Sequence, residues 1–196
     1  MTTASTSNQK LRGTSREHII DVSRAIIEDE GLEYLTIRRI AETISRTQPA
    51  VYQHFAGKDE ILAAVVVDGF VALVESLKRA AKGEKRSLTA IASAYVRFGL
   101  ERPKLYEVMF VAPPVIAFAV SDTPMPAQTA FQIFATAVAE SGLQPSKVDT
   151  VTEAVWAALH GLVMLSITKR LRPGRALERE RLERLTAAIV AMTASA

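Results

Sequence analysis

The stretch from Thr36 to Leu62 restricts most narrowly what this chain can fold into. It reads TIRRIAETISRTQPAVYQHFAGKDEIL and holds two short helical patterns separated by a two-residue break. Thr36 is suited to cap the first helix, in which four apolar side chains recur at i, i+3, i+4 and i+7 as one stripe. The members of that stripe are Ile37, Ile40, Ala41 and Ile44. The pattern therefore predicts a short buried helix.

A second short helix is predicted from Gln48 to Phe55. Thr47 can act as its N-cap, and Pro49 stands in the first turn, where a missing N–H costs little. Val51 and Phe55 lie one turn apart and are expected to face inward, which leaves polar side chains on the outer face. A helix, a short turn and a second helix form the layout that places a recognition helix in the major groove of DNA.

Helical signals continue on both sides of this stretch. A helix from about Ser15 to Glu30 is predicted to end at Gly31, a suitable left-handed C-cap. Because no strand pattern and no internal repeat is visible, we predict an all-α chain of about nine helices. The remaining helices are expected at about 58–82, 87–101, 103–111, 126–140, 146–170 and 177–192.

Three regions follow from this order of helices. Residues 1–14 are expected to form a disordered polar and basic tail, 15–60 a three-helix DNA-binding domain, and 61–196 a larger helical domain for ligand binding and dimerisation. Residues 83–87 read as a solvated loop. The apolar segment 111–128 carries four prolines, so it either packs over a core or closes over a ligand as a lid.

The run Val51, Tyr52, Gln53, His54 and Phe55, followed by Lys58 and the pair Ile61 and Leu62, resembles the helix-turn-helix signature of the TetR (tetracycline-repressor-like) family. The resemblance implies a homodimeric repressor that a small apolar effector releases from a palindromic operator. A regulator or activator without an effector is the alternative. The chain departs from the family in the turn, where Ser45 and Arg46 replace the usual glycine and valine. Because a left-handed serine costs about 1 kcal/mol, either the turn is strained or its geometry differs.

A second resemblance lies towards the C-terminus and extends the first from about residue 15 to the end of the chain. It is to a TetR subgroup whose C-terminal domain is marked by a Trp, His, Gly motif. The residues that carry it are Leu105, Tyr106, Met109, Phe110, Trp156, His160 and Gly161.

The candidate DNA contacts divide into base readers and phosphate contacts. Gln48 is the best direct reader, since its amide can pair with adenine; the resemblance adds Arg38 opposite guanine. Tyr52 and Lys58 match phosphate-facing positions, although Tyr52 could instead be a core residue. The full predicted set is Thr36, Arg38, Arg39, Arg46, Thr47, Gln48, Ala50, Tyr52, Gln53, His54 and Lys58. Within it, His54 either contacts phosphate or packs beneath the helix, and Arg46 either contacts phosphate or is solvated.

One helix-turn-helix buries too little surface for specificity, and half-sites about 34 to 36 Å apart require a two-fold protein. The resemblance places the dimer surface on the last two helices. An apolar stripe on the last helix fits such a seam, but the same stripe would also serve the core of a monomer. Its members are Leu182, Leu185, Ile189 and Met192.

The larger domain is expected to hold the effector among aromatic and methionine side chains, most of which would serve equally well as core. Few charges accompany them, which predicts an uncharged, mainly apolar ligand. His160 is either a ligand contact or a hydrogen-bonded core histidine. The predicted lining is Tyr95, Phe98, Met109, Phe110, Phe118, Phe131, Phe134, Trp156, His160 and Met164.

Composition excludes several other classes of protein. The chain has no cysteine, and its three histidines share no metal-ligand spacing, so we expect no metal and no cofactor. We expect no enzyme, because no nucleophile and base at motif spacing and no phosphate loop occur. The N-terminus does not read as a signal peptide, which predicts a cytoplasmic protein without a membrane partner. The net charge of +3 gives no support for DNA binding, since residues 1–57 carry seven Lys or Arg and seven Asp or Glu.

Overall fold

A computed structural model of the chain describes residues 15–82, 87–113, 115–117, 120–140 and 143–194, without the side chains of 192–194. These ranges contain nine α-helices and no strand, which confirms the all-α prediction. The predicted tail and residues 83–86 of the predicted loop lie outside them. The helices are α1 (Arg16–Asp29), α2 (Ile37–Thr43), α3 (Gln48–Tyr52), α4 (Lys58–Ala81), α5 (Leu88–Glu101), α6 (Pro103–Phe110), α7 (Met125–Ala139), α8 (Pro145–Ile167) and α9 (Arg175–Ala194).

Local hydrogen bonds set the start of three helices. The hydroxyl of Ser15 accepts from the backbone N–H of His18 at 3.2 Å, and that of Thr36 accepts from Arg39 at 3.1 Å. Ser87 caps α5 in the same way. Each such cap stabilises its helix by about 1 kcal/mol, and the caps at Ser15 and Thr36 fall where the sequence predicts helix starts.

Two helices end earlier than their patterns predict. The second short helix ends at Tyr52 rather than Phe55, because the N–H of His54 bonds to the carbonyl of Val51 and tightens the chain into a 3₁₀-type turn. The predicted helix to residue 170 ends at Ile167. There Lys169 adopts a φ of 57°, and the N–H of Arg170 bonds back to Leu165.

The turn after α1 also differs from its prediction. Gly31 has a positive φ of 125° but a ψ of 167°, so it is an extended glycine and not a left-handed C-cap. This conformation is essentially restricted to glycine. A short 3₁₀ turn, Leu32–Tyr34, then leads to the cap of α2 at Thr36.

The chain divides into two compact units, with the boundary inside α4. The first unit comprises the described residues up to Gly69 together with Lys104–Asp122; its core includes Ile19, Ile40, Val51, Phe55 and Ile61. The second unit comprises Phe70–Pro103 and the described residues from Thr123 onwards.

The second unit is built on α8, which packs against α5 and α7, while α9 packs against α5 and α8. Its core includes Ile91, Tyr95, Val155, Leu159 and Val163. Among the described helices, α8 alone is long and apolar enough to cross a membrane by length and composition. A core helix of a globular unit meets the same two criteria, so this feature assigns no membrane role.

Candidate nucleic-acid interface

A tight turn joins α2 to α3. Ser45 has a φ of 54°, in the left-handed region, as the sequence suggests for this position. The N–H of Arg46 bonds to the carbonyl of Ala41 at 2.8 Å, and the N–H of Ser45 bonds to Glu42 at 3.1 Å. These bonds satisfy the last carbonyls of α2 and fix the angle at which α3 begins. The chain therefore accepts a strained serine where glycine would be unstrained.

The inner face of α3 anchors it in the first unit. Val51 and the nearby Phe55 are fully or almost fully buried, as predicted. Arg16 of α1 places its guanidinium carbon 4.6 Å from the centre of the Phe55 ring, which adds a cation–π contact on that side. A helix of five residues has little stability of its own, so these contacts hold it in place.

The outer face of α3 is polar and open. Thr47, Gln48 and Gln53 are exposed, and Tyr52 exposes 53% of its surface, which excludes the alternative of a core tyrosine. Ala50 and His54 are half-buried. Thr47 occupies the predicted N-cap position, although its side chain makes no capping hydrogen bond. Its hydroxyl remains available to another partner.

The two arginines of α2 are already engaged in ion pairs. Nε of Arg38 lies 2.8 Å from Oε1 of Glu42, one turn away on the same helix. A terminal nitrogen of Arg39 lies 2.7 Å from Oε1 of Glu30, just beyond α1. These bonds and charges raise the pKa of both arginines. A DNA phosphate or base would have to share or displace these carboxylates.

Two further cations of the predicted set have no such competitor. Lys58, the first residue of α4, is exposed and forms no ion pair with a described residue. Arg46 is exposed, and among the described residues its guanidinium donates only to the neighbouring Ser45 carbonyl, at 3.3 Å. Lys58 lies at a helix N-terminus, where the backbone itself favours anions. The choice between phosphate contact and solvation for Arg46 stays open.

Sequence reasoning missed the side chains that tie α1 to the later helices of the first unit. Nζ of Lys104, in α6, donates to the backbone carbonyl of Asp29 at the end of α1. Arg24 bridges Asp21 of α1 and Asp68 of α4, with a nitrogen–oxygen distance of 2.9 Å to each. Lys104 and Asp29 are 75 positions apart, and no local pattern could indicate their contact.

The predicted effector residues are divided between the two units. In the second unit, the indole N–H of Trp156 donates to the buried hydroxyl of Tyr95 at 2.8 Å, and the Tyr95 ring packs edge-on against Phe134 at 5.7 Å. His160 is half-buried, and burial lowers its pKa, which favours the neutral imidazole. Phe98 is buried, and Phe131 and Met164 are half-buried in the same unit.

Two members of that set lie in the other unit. Met109 and Phe110 belong to the first unit. Met109 is buried there against α4, so close that a Cβ added at Gly69 would lie 2.7 Å from its sulfur. Phe118 lies outside the described residues. Met109 is therefore a packing residue between α4 and α6.

Comparison with known proteins identifies the family. Residues 19–65 match the family described as bacterial regulatory proteins, tetR family, and residues 88–189 match the tetracyclin repressor-like C-terminal domain. The chain belongs to the TetR family. The Trp, His, Gly subgroup stays a prediction.

Its curated TetR-type relatives are distant. A helix-turn-helix transcriptional regulator of Mycobacterium tuberculosis (strain ATCC 25618 / H37Rv) is 25% identical over 156 residues, which cover 79% of this chain and 71% of the relative. The regulator YobS of Bacillus subtilis (strain 168) is 26% identical over 97 residues, or 48% of this chain. The match spans about half of YobS, 51% of its length.

Solved structures share the TetR fold at low identity. A protein with unknown function from Rhodococcus sp. RHA1 superposes with a TM-score of 0.72 at 20% identity, over 92% of this chain and 93% of that one. BioQ, crystallised with its natural double-stranded DNA operator, superposes with a TM-score of 0.65 at 20% identity, over 90% of this chain and 98% of that one.

The residues of the predicted dimer stripe of this TetR chain differ in how exposed they are to solvent. Leu182 and Leu185 are half-buried, whereas Ile189 exposes only 4% of its surface in a single chain. The side chain of Met192 lies outside the described residues. The neighbouring α8 offers more open surface, since Leu165 is 43% exposed and nothing lies within 4 Å of a Cβ added at Gly161. The resemblance places the dimer surface on the last two helices, α8 included, but the sequence pattern singled out residues of α9 only, because the apolar residues of α8 are spread around the helix.

Proposed function

We propose that the protein is a sequence-specific DNA-binding transcriptional regulator, acting as a homodimeric repressor. The observation that carries the proposal is the division of α3 into two faces. Val51 anchors the helix in the first unit, while Gln48, Tyr52 and Gln53 point polar groups to solvent. A helix held on one side and polar on the other suits major-groove reading.

The exposed groups divide by chemistry into readers and positioners. The amides of Gln48 and Gln53 can each donate to and accept from an adenine edge, and the uncapped hydroxyl of Thr47 adds a third polar group. Lys58 and Tyr52 supply a charge and a hydroxyl for phosphate oxygens, which fix register without reading sequence. BioQ, a protein of the same fold, was crystallised with its natural double-stranded DNA operator, which supports duplex DNA as the partner.

A two-fold assembly would give the reader its specificity, because one five-residue helix reaches few base pairs. We place the dimer surface on α8 and α9, with Leu165 and the open face at Gly161 central and Leu182 and Leu185 beside them. Ile189 contributes to the core of each chain instead, since it is already covered.

The effector of this repressor would bind in the second unit, around Tyr95, Trp156 and His160. The neutral state of His160 and the aromatic surroundings favour an uncharged, mainly apolar molecule. Binding would weaken DNA affinity only if the effector prefers a conformer with the wrong separation of the two reading helices. A regulator of this kind acts in the cytoplasm and needs no catalytic activity.

Selection of bound sequences from random double-stranded DNA tests the proposal. The full chain should enrich a motif with two-fold symmetry whose half-sites lie about 10 base pairs apart, or a multiple of that spacing. Repeating the selection with uncharged apolar compounds tests for release by an effector. Enrichment of no motif would contradict sequence-specific binding, and a single unrepeated half-site would contradict the dimer.

A further inference from the structure

The positive charge of the chain lies outside the unit that carries the reading helix. The first unit, residues 1–69 and 104–122, holds nine Lys or Arg and twelve Asp or Glu, a net charge of −3. The second unit holds fifteen Lys or Arg and nine Asp or Glu, a net charge of +6. DNA reading by α3 does not account for this excess, so part of it can serve another anion.

A groove in the second unit places two of these cations over an apolar floor. It has a volume of about 350 Å³ and is lined by the end of α4, by α5 and by α7. Lys78 and Lys82 stand one helical turn apart on its α4 side. Ala81 and Ile133, both half-buried, supply apolar surface, whereas Ile91, also in the lining, is only 1% exposed. None of these residues belongs to the predicted effector lining.

The groove is rich in donors for an anion. No carboxylate lines it, and neither Lys78 nor Lys82 forms an ion pair with a described residue. The hydroxyls of Thr129 and Thr136, also in the lining, donate to carbonyls of their own helix at 2.8 Å and so can only accept from a ligand. The donors left for a ligand are the two ammonium groups and the amide of Gln132.

We propose that this groove binds a small amphipathic carboxylate. The carboxylate would lie between the ammonium groups of Lys78 and Lys82, and the alkyl chain would cover Ala81 and Ile133. Charge-assisted hydrogen bonds favour a carboxylate over a neutral head group. The volume lies at the lower end of the range of ligand pockets, roughly 300 to 1,000 Å³, which fits a short chain. This site is separate from the uncharged effector proposed above.

Titration of the full chain with octanoate, monitored through the NMR signals of the isoleucine methyl groups, tests the site. Octanoate should shift the methyl signals of Ile91 and Ile133 saturably. Octanol, which lacks the charge, and inorganic phosphate, which lacks the alkyl chain, should each bind about tenfold more weakly than octanoate. The proposal would be overturned if octanol or phosphate bound as tightly as octanoate. It would also be overturned if the methyl signals of these two isoleucines did not shift.

Paired variants separate the site from overall charge. The double variant Lys78→Gln/Lys82→Gln should weaken octanoate binding about tenfold. The control Arg79→Gln/Arg97→Gln removes two exposed cations that do not line the groove and should leave the affinity unchanged. An equal loss in both pairs would overturn the site. Operator binding without octanoate, measured on the same variants, reports on the proposed repressor function independently.

Discussion

The guanidinium of Arg39 lies 2.7 Å from the carboxylate of Glu30, which ties α2 to the end of α1. The backbone N–H of the same arginine donates to Thr36 and so helps to start α2. One residue therefore fixes both the beginning of α2 and its attachment to α1. Its side chain is a predicted phosphate contact, and Glu30 is the group with which a phosphate would compete.

Removing that competitor should strengthen DNA binding. In Glu30→Gln, Arg39 loses its ion-pair partner and can contact phosphate, and the DNA no longer meets the repulsion of the Glu30 carboxylate. Non-specific affinity for DNA should therefore rise about threefold, with a steeper salt dependence. Fluorescence anisotropy across a salt series measures both quantities. In Glu30→Gln/Arg39→Gln the gain should disappear. A lower affinity in the single variant would show that the ion pair orients the arginine rather than withholding it.

Relief of the strained turn should stabilise the protein. Ser45→Gly removes the cost of a left-handed serine, so Tm should rise by about 2 °C, as roughly 0.5 kcal/mol implies for a chain of this length. The matched control is Ser93→Gly within α5, which should lower Tm because glycine is unfavourable inside a helix. Equal losses in both variants would show that Ser45 carries no strain.

Loss of the contact between Lys104 and the Asp29 carbonyl should loosen the end of α1. Lys104→Met keeps most of the side-chain volume but leaves that carbonyl without its donor, at a cost of about 1 kcal/mol. Hydrogen exchange should accelerate at residues 30–35 and not in α8. Arg97→Met, at an exposed position of α5, serves as the control. Unchanged exchange in Lys104→Met would mean that the contact is not maintained in solution.

His160 should make stability depend on pH below neutrality. Burial lowers its folded-state pKa, so the unfolded chain binds the proton more tightly. Stability is unaffected above the unfolded pKa of about 6.5 and is lost as pH falls below it towards the folded value. The free energy of unfolding of the wild type and of His160→Gln can be measured from pH 8 to pH 5. Between these limits, the wild type should lose stability relative to the variant as the pH falls. A difference independent of pH would contradict the assignment.

The sequence predicts best those features that depend on a few neighbouring residues. The cap at Thr36 is confirmed because its hydroxyl reaches an N–H only three residues ahead, and α1 begins next to Ser15, close to its predicted start. The inward direction of Val51 is confirmed because helical periodicity alone decides it. The predicted end of α3 is wrong, because the bond from the N–H of His54 to the carbonyl of Val51 tightens the chain while Phe55 is still buried as the helical pattern predicts.

Contacts between distant positions were not predictable from a pattern. The bond from Lys104 to Asp29 joins two exposed-looking positions that only the fold brings together. The stripe containing Ile189 fits a dimer seam and a core equally well, and only the packing of a single chain shows that Ile189 is already buried. Tyr95 and Phe110 are both aromatic, which the sequence shows, but they belong to different units, which it does not.

The most direct test of the central claim compares Gln48→Ala with Lys58→Ala on the selected operator across a salt series. We predict that Lys58→Ala weakens binding to all sequences and leaves base preference unchanged. The slope of log affinity against log salt concentration should become shallower by about one. Gln48→Ala should keep the slope and relax discrimination at one base pair of each half-site. Gln144→Ala, an exposed amide before α8, controls for loss of a glutamine. Unchanged base preference in Gln48→Ala would contradict a reading role for the exposed face of α3.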